Sequence, residues 1–128
     1  MKKTRYLGLD LAWAPRQSSA GAVMEASEEG VRLISTAHLR AHEDVLNWVA
    51  RNRGRGGSIM AVNAPLIVNN SAGRRPVDEE LEHHFTRFFV DEYSVNIVNA
   101  SFSRNIARAF TRMGFDMDPQ SESDRVIE

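Results

Sequence analysis

Asp10 is the side chain whose surroundings in the sequence point most directly to chemistry. It lies within the segment from Tyr6 to Trp13, whose alternating pattern of apolar and small residues predicts an interior strand buried on both faces. A buried, unpaired carboxylate costs several kcal/mol, so such an acid needs a cation, a hydrogen-bonded cluster or contact with water. Two interpretations follow: a ligand of a divalent metal at the sheet edge, or a structural acid bonded to backbone N–H groups of the turn at Ala14 and Pro15.

Asn63 is the second candidate, because it ends another predicted buried strand, Ser58 to Ala64, which Pro65 closes. If this strand lies beside the first, Asn63 stands near Asp10. Its amide would offer a metal one neutral carbonyl oxygen and no negative charge. The alternative is an asparagine that caps the end of the strand.

Arg74 and Arg75 stand in a polar loop, Asn69 to Pro76, beside a glycine. Two guanidinium groups on a flexible backbone suit phosphate binding. The alternative is a turn in which both arginines pair with acids of the following helix, namely Asp78, Glu79 or Glu82.

A second basic segment contains Arg51, Arg53 and Arg55 among glycines. It is a candidate for phosphate or nucleic-acid contact, although no aromatic residues are interleaved with it. Arginines that complement the dipole at the end of a helix explain it equally, and the glycines would end that helix. It is not a phosphate-binding P-loop, because no Lys-Ser or Lys-Thr follows the glycines.

The elements that must position these residues follow from periodicity. Three strands, Thr4 to Trp13, Ala20 to Ala26 and Val31 to Thr36, predict an antiparallel meander, with a hairpin turn at Glu28-Glu29-Gly30. A helix from His42 to Asn52 then leads to the strand that carries Asn63. Two further helices are predicted, one from about Val77 to Tyr93 and one capped by Ser103, before a final strand opens at Arg125. The order predicts an α/β fold with a mixed sheet and flanking helices.

Length and composition limit the class of protein. The chain has 128 residues, of which 42% are apolar and 26% charged, which suits one folded domain rather than a disordered chain. It has no cysteine, which excludes disulfides and thiolate sites, and no apolar run near the ~20 residues of a membrane span. We therefore expect a cytoplasmic protein. Residues 1–76 carry a net charge of +5 and residues 77–128 a net charge of −6, which suggests opposite charge on different faces.

Several motifs together resemble the DUF429 family. They are, in order, Tyr6-Leu7-Gly8-Leu9-Asp10-Leu11-Ala12-Trp13, Val62-Asn63-Ala64-Pro65-Leu66, Gly73-Arg74-Arg75-Pro76 followed by an acidic helix, Met113-Gly114-Phe115, and Arg125-Val126-Ile127-Glu128. The resemblance spans nearly the whole chain. It implies a ribonuclease H-like fold and a predicted nuclease, with carboxylates gathered around one or two Mg²⁺ or Mn²⁺ ions.

The resemblance also implies roles for particular residues. Asp10 matches the family's first-strand acid, and Glu128 matches the acid on the strand that opens the C-terminal part, so both are candidate catalytic and metal-binding residues. Position 63 usually holds an acid in the family. With Asn63 in its place, the cluster loses one negative charge and should bind a divalent ion less tightly.

Family members usually continue well beyond the equivalent of Glu128. We therefore expect residues 1–128 to form a single, incomplete ribonuclease H-like domain, and an unpaired sheet edge that could join a second copy as a homodimer. The leading hypothesis is a metal-dependent phosphodiesterase or nuclease acting on nucleic acid. The alternatives are a weakly active or inactive relative that serves binding or assembly, and a domain that binds a nucleotide or phosphorylated metabolite. The scarcity of glycine between Ala14 and Ser19 speaks against a phosphate-cradling loop there.

Overall fold

The computed structural model describes residues 3–14, 16–88 and 94–128. Its central element is a five-stranded mixed sheet. The strands are β1 (Arg5–Asp10), β2 (Ser19–Ser27), β3 (Gly30–Leu39), β4 (Ser58–Asn63) and β5 (Arg125–Ile127). The helix α1 (His42–Asn52) joins β3 to β4. The helix α2 (Pro76–Phe85), a 3₁₀ turn (Thr86–Phe88) and the helix α3 (Ser101–Arg112) lie between β4 and β5.

The strand order is β3-β2-β1-β4-β5. The strand pairs β1–β2 and β2–β3 are antiparallel, whereas β1–β4 and β4–β5 are parallel. This confirms the predicted α/β class, with its antiparallel meander, crossover helix and parallel strand, as expected from the ribonuclease H-like resemblance. The strands β1, β4 and β5 run in the same direction and end at one edge, called here the carboxyl edge. The edge where they begin is called the amino edge.

One face of the sheet forms the core. Its apolar side chains pack with buried residues of α1 and α3 in one cluster, which includes Leu7, Leu9, Val23, Met60, Val62, Val126, Val45, Trp48, Val49, Ile106 and Phe110. The ring of Trp48 lies so close to Gly21 that a Cβ atom there would stand 2.6 Å from its Cζ2 atom. The glycine therefore lets α1 approach β2, and any larger residue would force the helix or the ring to move.

The other face has small residues at its centre and remains partly open to solvent. Gly8 pairs in register with Ala22 on one side and Ala61 on the other, and Ala61 is exposed. The prediction that β1 is buried on both faces is therefore wrong, although its interior position is confirmed. Asp10 belongs to the open face and is exposed, so its charge stays in contact with water and the expected cost of burial does not arise.

The two later helices differ from prediction. The helix α2 ends at Phe85. The last part of the predicted helix, residues 89–93, lies outside the described residues. Pro15, in the turn predicted after β1, lies outside them too. The apolar stripe of α2 is exposed, with Val77 61% and Phe85 45% accessible. The prediction that Ser103 caps α3 is wrong, because the helix begins at Ser101.

Two observations bear on the wider predictions. None of the described helices is long and apolar enough to cross a membrane. The sheet has β3 and β5 as its edge strands, which are the places where a second copy could pair. Homodimerisation, the extent of the domain and a cytoplasmic location remain predictions.

Candidate active site

Asp10 and Asn63 face each other at the carboxyl edge. They are register partners in the parallel pair β1–β4, and the Nδ2 atom of Asn63 donates a hydrogen bond of 3.2 Å to Oδ1 of Asp10. Among the described residues, no backbone N–H bonds to the Asp10 carboxylate. The alternative interpretation is a structural acid bonded to backbone N–H groups of the turn after β1, and the structure does not show such bonds among the described residues. The backbone N–H of Ala12 donates instead to the Oγ atom of Ser19, at 2.9 Å.

Glu128 reaches the same edge from the end of β5. Its Oε2 atom accepts hydrogen bonds from the backbone N–H groups of Leu66 (2.9 Å) and Ile67 (3.0 Å), which follow β4. Its Oε1 atom accepts a hydrogen bond from Nη1 of Arg75. A shallow depression of about 460 Å³ is lined by Asp10, Asn63 and Glu128, together with Leu9, Ala61, Val62 and Ile127. The two candidate acids therefore share one surface, and three donors fix the orientation of Glu128.

Arg75 connects this edge to α2. Its Nε and Nη2 atoms form a two-pronged ion pair with Asp78, at 2.7 Å to Oδ2 and 2.8 Å to Oδ1. The Asp78 side chain is only 6% exposed. The hydrogen bonds that Arg75 donates to Asp78 and to Glu128 raise its pKa, although its partial burial opposes the shift. The guanidinium group therefore stays charged at any working pH and joins α2 to the candidate site.

Arg74 points to a different acid and forms an ion pair with Glu82 on α2. The contacts of both arginines match the alternative interpretation, in which they pair with the following helix. Nη2 of Arg75 is bonded to Asp78 and Nη1 to Glu128 and the Ile67 carbonyl, so phosphate would have to compete with existing partners.

The arginines near the end of α1 lie at the amino edge, away from Asp10. The loop that carries Arg55 borders the start of β1, where Gly57 accepts a hydrogen bond from the backbone N–H of Arg5 at 3.1 Å. Arg53 bonds to Asp124 through Nε at 3.0 Å and stacks 4.6 Å from the centre of the Phe115 ring. Arg51 and Arg55 are exposed. The structure therefore does not bring these three arginines to Asp10.

The residues at the carboxyl edge form a limited set of metal ligands. Within the described ranges, no group of three or more His, Cys, Asp or Glu residues could hold a metal ion. Mg²⁺ is often held by only one or two carboxylates, with water and substrate phosphates completing its shell. The Asp10 carboxylate, the Asn63 amide oxygen and the remaining lone pairs of Glu128 fit that minimum, provided that the Asn63 amide turns its oxygen toward the ion.

Sequence reasoning missed the donors that hold Glu128. The backbone N–H groups of Leu66 and Ile67 carry no side-chain signal, and their contact depends on β5 lying next to β4. The bond between Arg75 and Glu128 joins residues 53 positions apart. The contact between Arg75 and Asp78 was accessible from the sequence, because the two residues are separated by three positions at the start of a helix.

Comparison with known proteins gives remote structural likenesses. No family model matches the chain, and no curated protein matches it, so membership of DUF429 stays a prediction. The NurA nuclease from Sulfolobus solfataricus is 10% identical with a TM-score of 0.41, over 88% of this chain and 43% of that one. The foamy viral protease-reverse transcriptase in complex with dsDNA is 15% identical with a TM-score of 0.35, over 98% of this chain and 79% of that one. Both scores are too low to identify a function.

Proposed function

We propose that the chain is a divalent-metal-dependent phosphodiesterase that acts on nucleic acid at the carboxyl edge. The observation that carries this proposal is the shared depression, in which the carboxylates of Asp10 and Glu128 flank Asn63 at the ends of three adjacent parallel strands. Oxygen ligands grouped on an open surface suit Mg²⁺ or Mn²⁺ and leave room for a phosphate.

Each residue has a distinct role in this proposal. Asp10 is the principal carboxylate ligand, Asn63 a weaker neutral ligand, and Glu128 a second carboxylate held in place by the Leu66 and Ile67 N–H groups. When bound, the metal would activate water and stabilise the departing oxygen of a phosphodiester. Arg75, which bonds to Glu128, orients that carboxylate and adds positive charge where a phosphate would approach. Arg74 adds a second positive charge on the same loop.

A binding protein without hydrolytic activity is the second candidate. Two contacts favour it: the Asn63 amide nitrogen already donates to Asp10, and both oxygens of Glu128 already accept hydrogen bonds. A site with a single strong metal-binding acid would hold the ion weakly, because affinity for divalent ions falls as the number of charged ligands falls.

Calorimetric titration with Mn²⁺ and a cleavage assay on a labelled oligonucleotide separate the two functions. The phosphodiesterase proposal expects measurable Mn²⁺ binding and cleavage, both lost in Asp10→Asn and both kept in Glu29→Gln, a control in the exposed β2–β3 turn. Asn63→Asp should bind Mn²⁺ about tenfold more tightly, equivalent to about 1.4 kcal/mol, because it adds a carboxylate beside Asp10.

The outcomes are distinct. Oligonucleotide binding that chelator does not affect, with no cleavage by the wild-type chain, would support the binding protein. Cleavage that survives Asp10→Asn would refute the site, because this variant removes the principal carboxylate ligand. An Asn63→Asp variant that binds Mn²⁺ no better than wild type would show that the two positions do not share an ion.

A further inference from the structure

Five cationic side chains surround a recess at the amino edge, far from the carboxyl edge. They are Lys3, Arg5, Arg51, Arg53 and Arg55, called here the basic cluster. The recess measures about 680 Å³, and Glu25 is the acidic residue in its lining. Lys3 and Arg5 lie just before and at the start of β1, whereas the other three cations lie in the last turn of α1 and in the loop after it. The two segments are about 50 positions apart in the chain but meet where the backbone N–H of Arg5 bonds to the carbonyl oxygen of Gly57.

Three of the cations have acidic partners. Lys3 Nζ lies 3.1 Å and Arg5 Nε 3.4 Å from the Glu25 carboxylate. The hydrogen bond from Lys3, together with the charges of Lys3 and Arg5, lowers the pKa of Glu25. Arg53 is neutralised by Asp124. One acid, Glu25, thus pairs with both Lys3 and Arg5.

Among the described residues, Arg51 and Arg55 have no acidic partner that would explain their position at the recess. Both are exposed, and neither contacts an acidic group in the part of the chain that the structure describes. The dipole of α1 favours a cation in its last turn, which accounts for Arg51 but weakens beyond the helix end at Asn52, before Arg55 is reached. Gathering like charges around one recess opposes folding. An anionic ligand removes that repulsion, and guanidinium groups match phosphate oxygens in shape and charge.

We propose that the basic cluster binds the phosphate backbone of a nucleic acid at a second site, remote from Asp10. The choice of nucleic acid rests on the proposed function, and the spread of five cations around the recess suits successive phosphates better than one. Five residue steps along β1 separate Arg5 from Asp10, or about 17 Å at about 3.3 Å per step. One strand of a DNA duplex rises about 3.4 Å per nucleotide, so this separation corresponds to about five nucleotides along a duplex.

The test is fluorescence anisotropy with labelled oligothymidine of about 20 nucleotides, in chelator so that no cleavage occurs. We expect Arg51→Ala/Arg55→Ala to bind roughly tenfold more weakly at about 50 mM salt, with a salt slope lower by about 1.4, the value for two lost contacts to single-stranded DNA. Arg51→Lys/Arg55→Lys should retain most of the affinity, because the charge remains. The matched control is Arg40→Ala/Arg108→Ala, which removes two exposed arginines outside the cluster.

Three results would overturn the proposal: no binding by the wild-type chain, unchanged binding by the cluster variant, or an equal loss in the control. Circular dichroism of each variant checks that it is folded. If the wild-type chain cleaves in Mn²⁺ and the cluster variant binds as tightly as wild type, the basic cluster is refuted and the proposed activity stands. If binding depends on the cluster and no cleavage occurs, the basic cluster is supported and the hydrolytic function is refuted.

Discussion

Removing Arg75 should destabilise the fold far more than removing its neighbour Arg74. Arg75 bonds to Asp78 through two nitrogens, and its side chain is 13% exposed while that of Asp78 is 6% exposed. Arg75→Ala would leave the Asp78 carboxylate buried without a cation. The Arg74–Glu82 pair is more open, with side chains 26% and 34% exposed.

The expected magnitudes follow from that difference in burial. Breaking a buried pair by removing one partner costs about 3–5 kcal/mol, because the remaining charge is uncompensated. An exposed pair contributes about 1 kcal/mol or less. The two variants should therefore differ by about 3 kcal/mol, which is a large part of the roughly 5–15 kcal/mol that stabilises an ordinary domain.

Urea denaturation followed by circular dichroism measures this difference. With a slope of about 1.5 kcal/mol/M, the midpoint of Arg75→Ala should fall about 2 M below that of Arg74→Ala. The double variant Arg75→Met/Asp78→Leu should recover most of the loss, because it removes both charges and fills their space. Equal midpoints for the two arginine variants, or no recovery in the double variant, would refute the buried-pair explanation.

Three further predictions concern the core and the loops. Phe110→Ala, at a fully buried position, should lower the free energy of unfolding by about 3–5 kcal/mol in urea denaturation. Gly21→Ala should lower it by about 1–3 kcal/mol, because the new Cβ would overlap the Trp48 ring, and Trp48→Leu should relieve that penalty. The backbone N–H of Asp118 lowers the pKa of Asp116 from 3.8. This stabilisation is present above pH 3.8 and disappears as the pH falls through the folded pKa, so Asp116→Asn should lower the melting temperature at about pH 6 and leave it unchanged at about pH 2.

The strand pattern was readable from the sequence because each strand has a local signal. Alternation in β1 and β4, the turn before β3 and the break at Pro65 placed the sheet elements close to their observed bounds. The burial of each face of the sheet was harder to predict from the sequence. On the face of β1 opposite Leu7 and Leu9, Tyr6 is aromatic and Gly8 is small. Sequence alone does not tell whether a second layer of helices covers such a face. None of the described helices covers Ala61 of β4, which belongs to this face and is exposed.

The site was predictable only in part, for a related reason. Asp10 and Asn63 each stand at the end of a strand, and the parallel pairing that joins them follows from the crossover helix α1. The Ser103 hydroxyl illustrates what local reasoning misses. It donates to the carbonyl oxygen of Pro65 at 2.7 Å, so its role is to join α3 to the segment after β4 rather than to cap its own helix. Contacts of this kind depend on the arrangement of distant segments.

The contacts that Asp10 and Glu128 make at the carboxyl edge span long stretches of the chain, which affects the timing of folding. Asn63 bonds to a residue 53 positions earlier, and Glu128 to one 62 positions earlier. Closing such loops is entropically costly and slow compared with forming α1 or the β2–β3 hairpin. The candidate site is therefore a late product of the folding reaction. In a stopped-flow refolding experiment, the ability to bind Mn²⁺ should appear after the helical signal has already recovered.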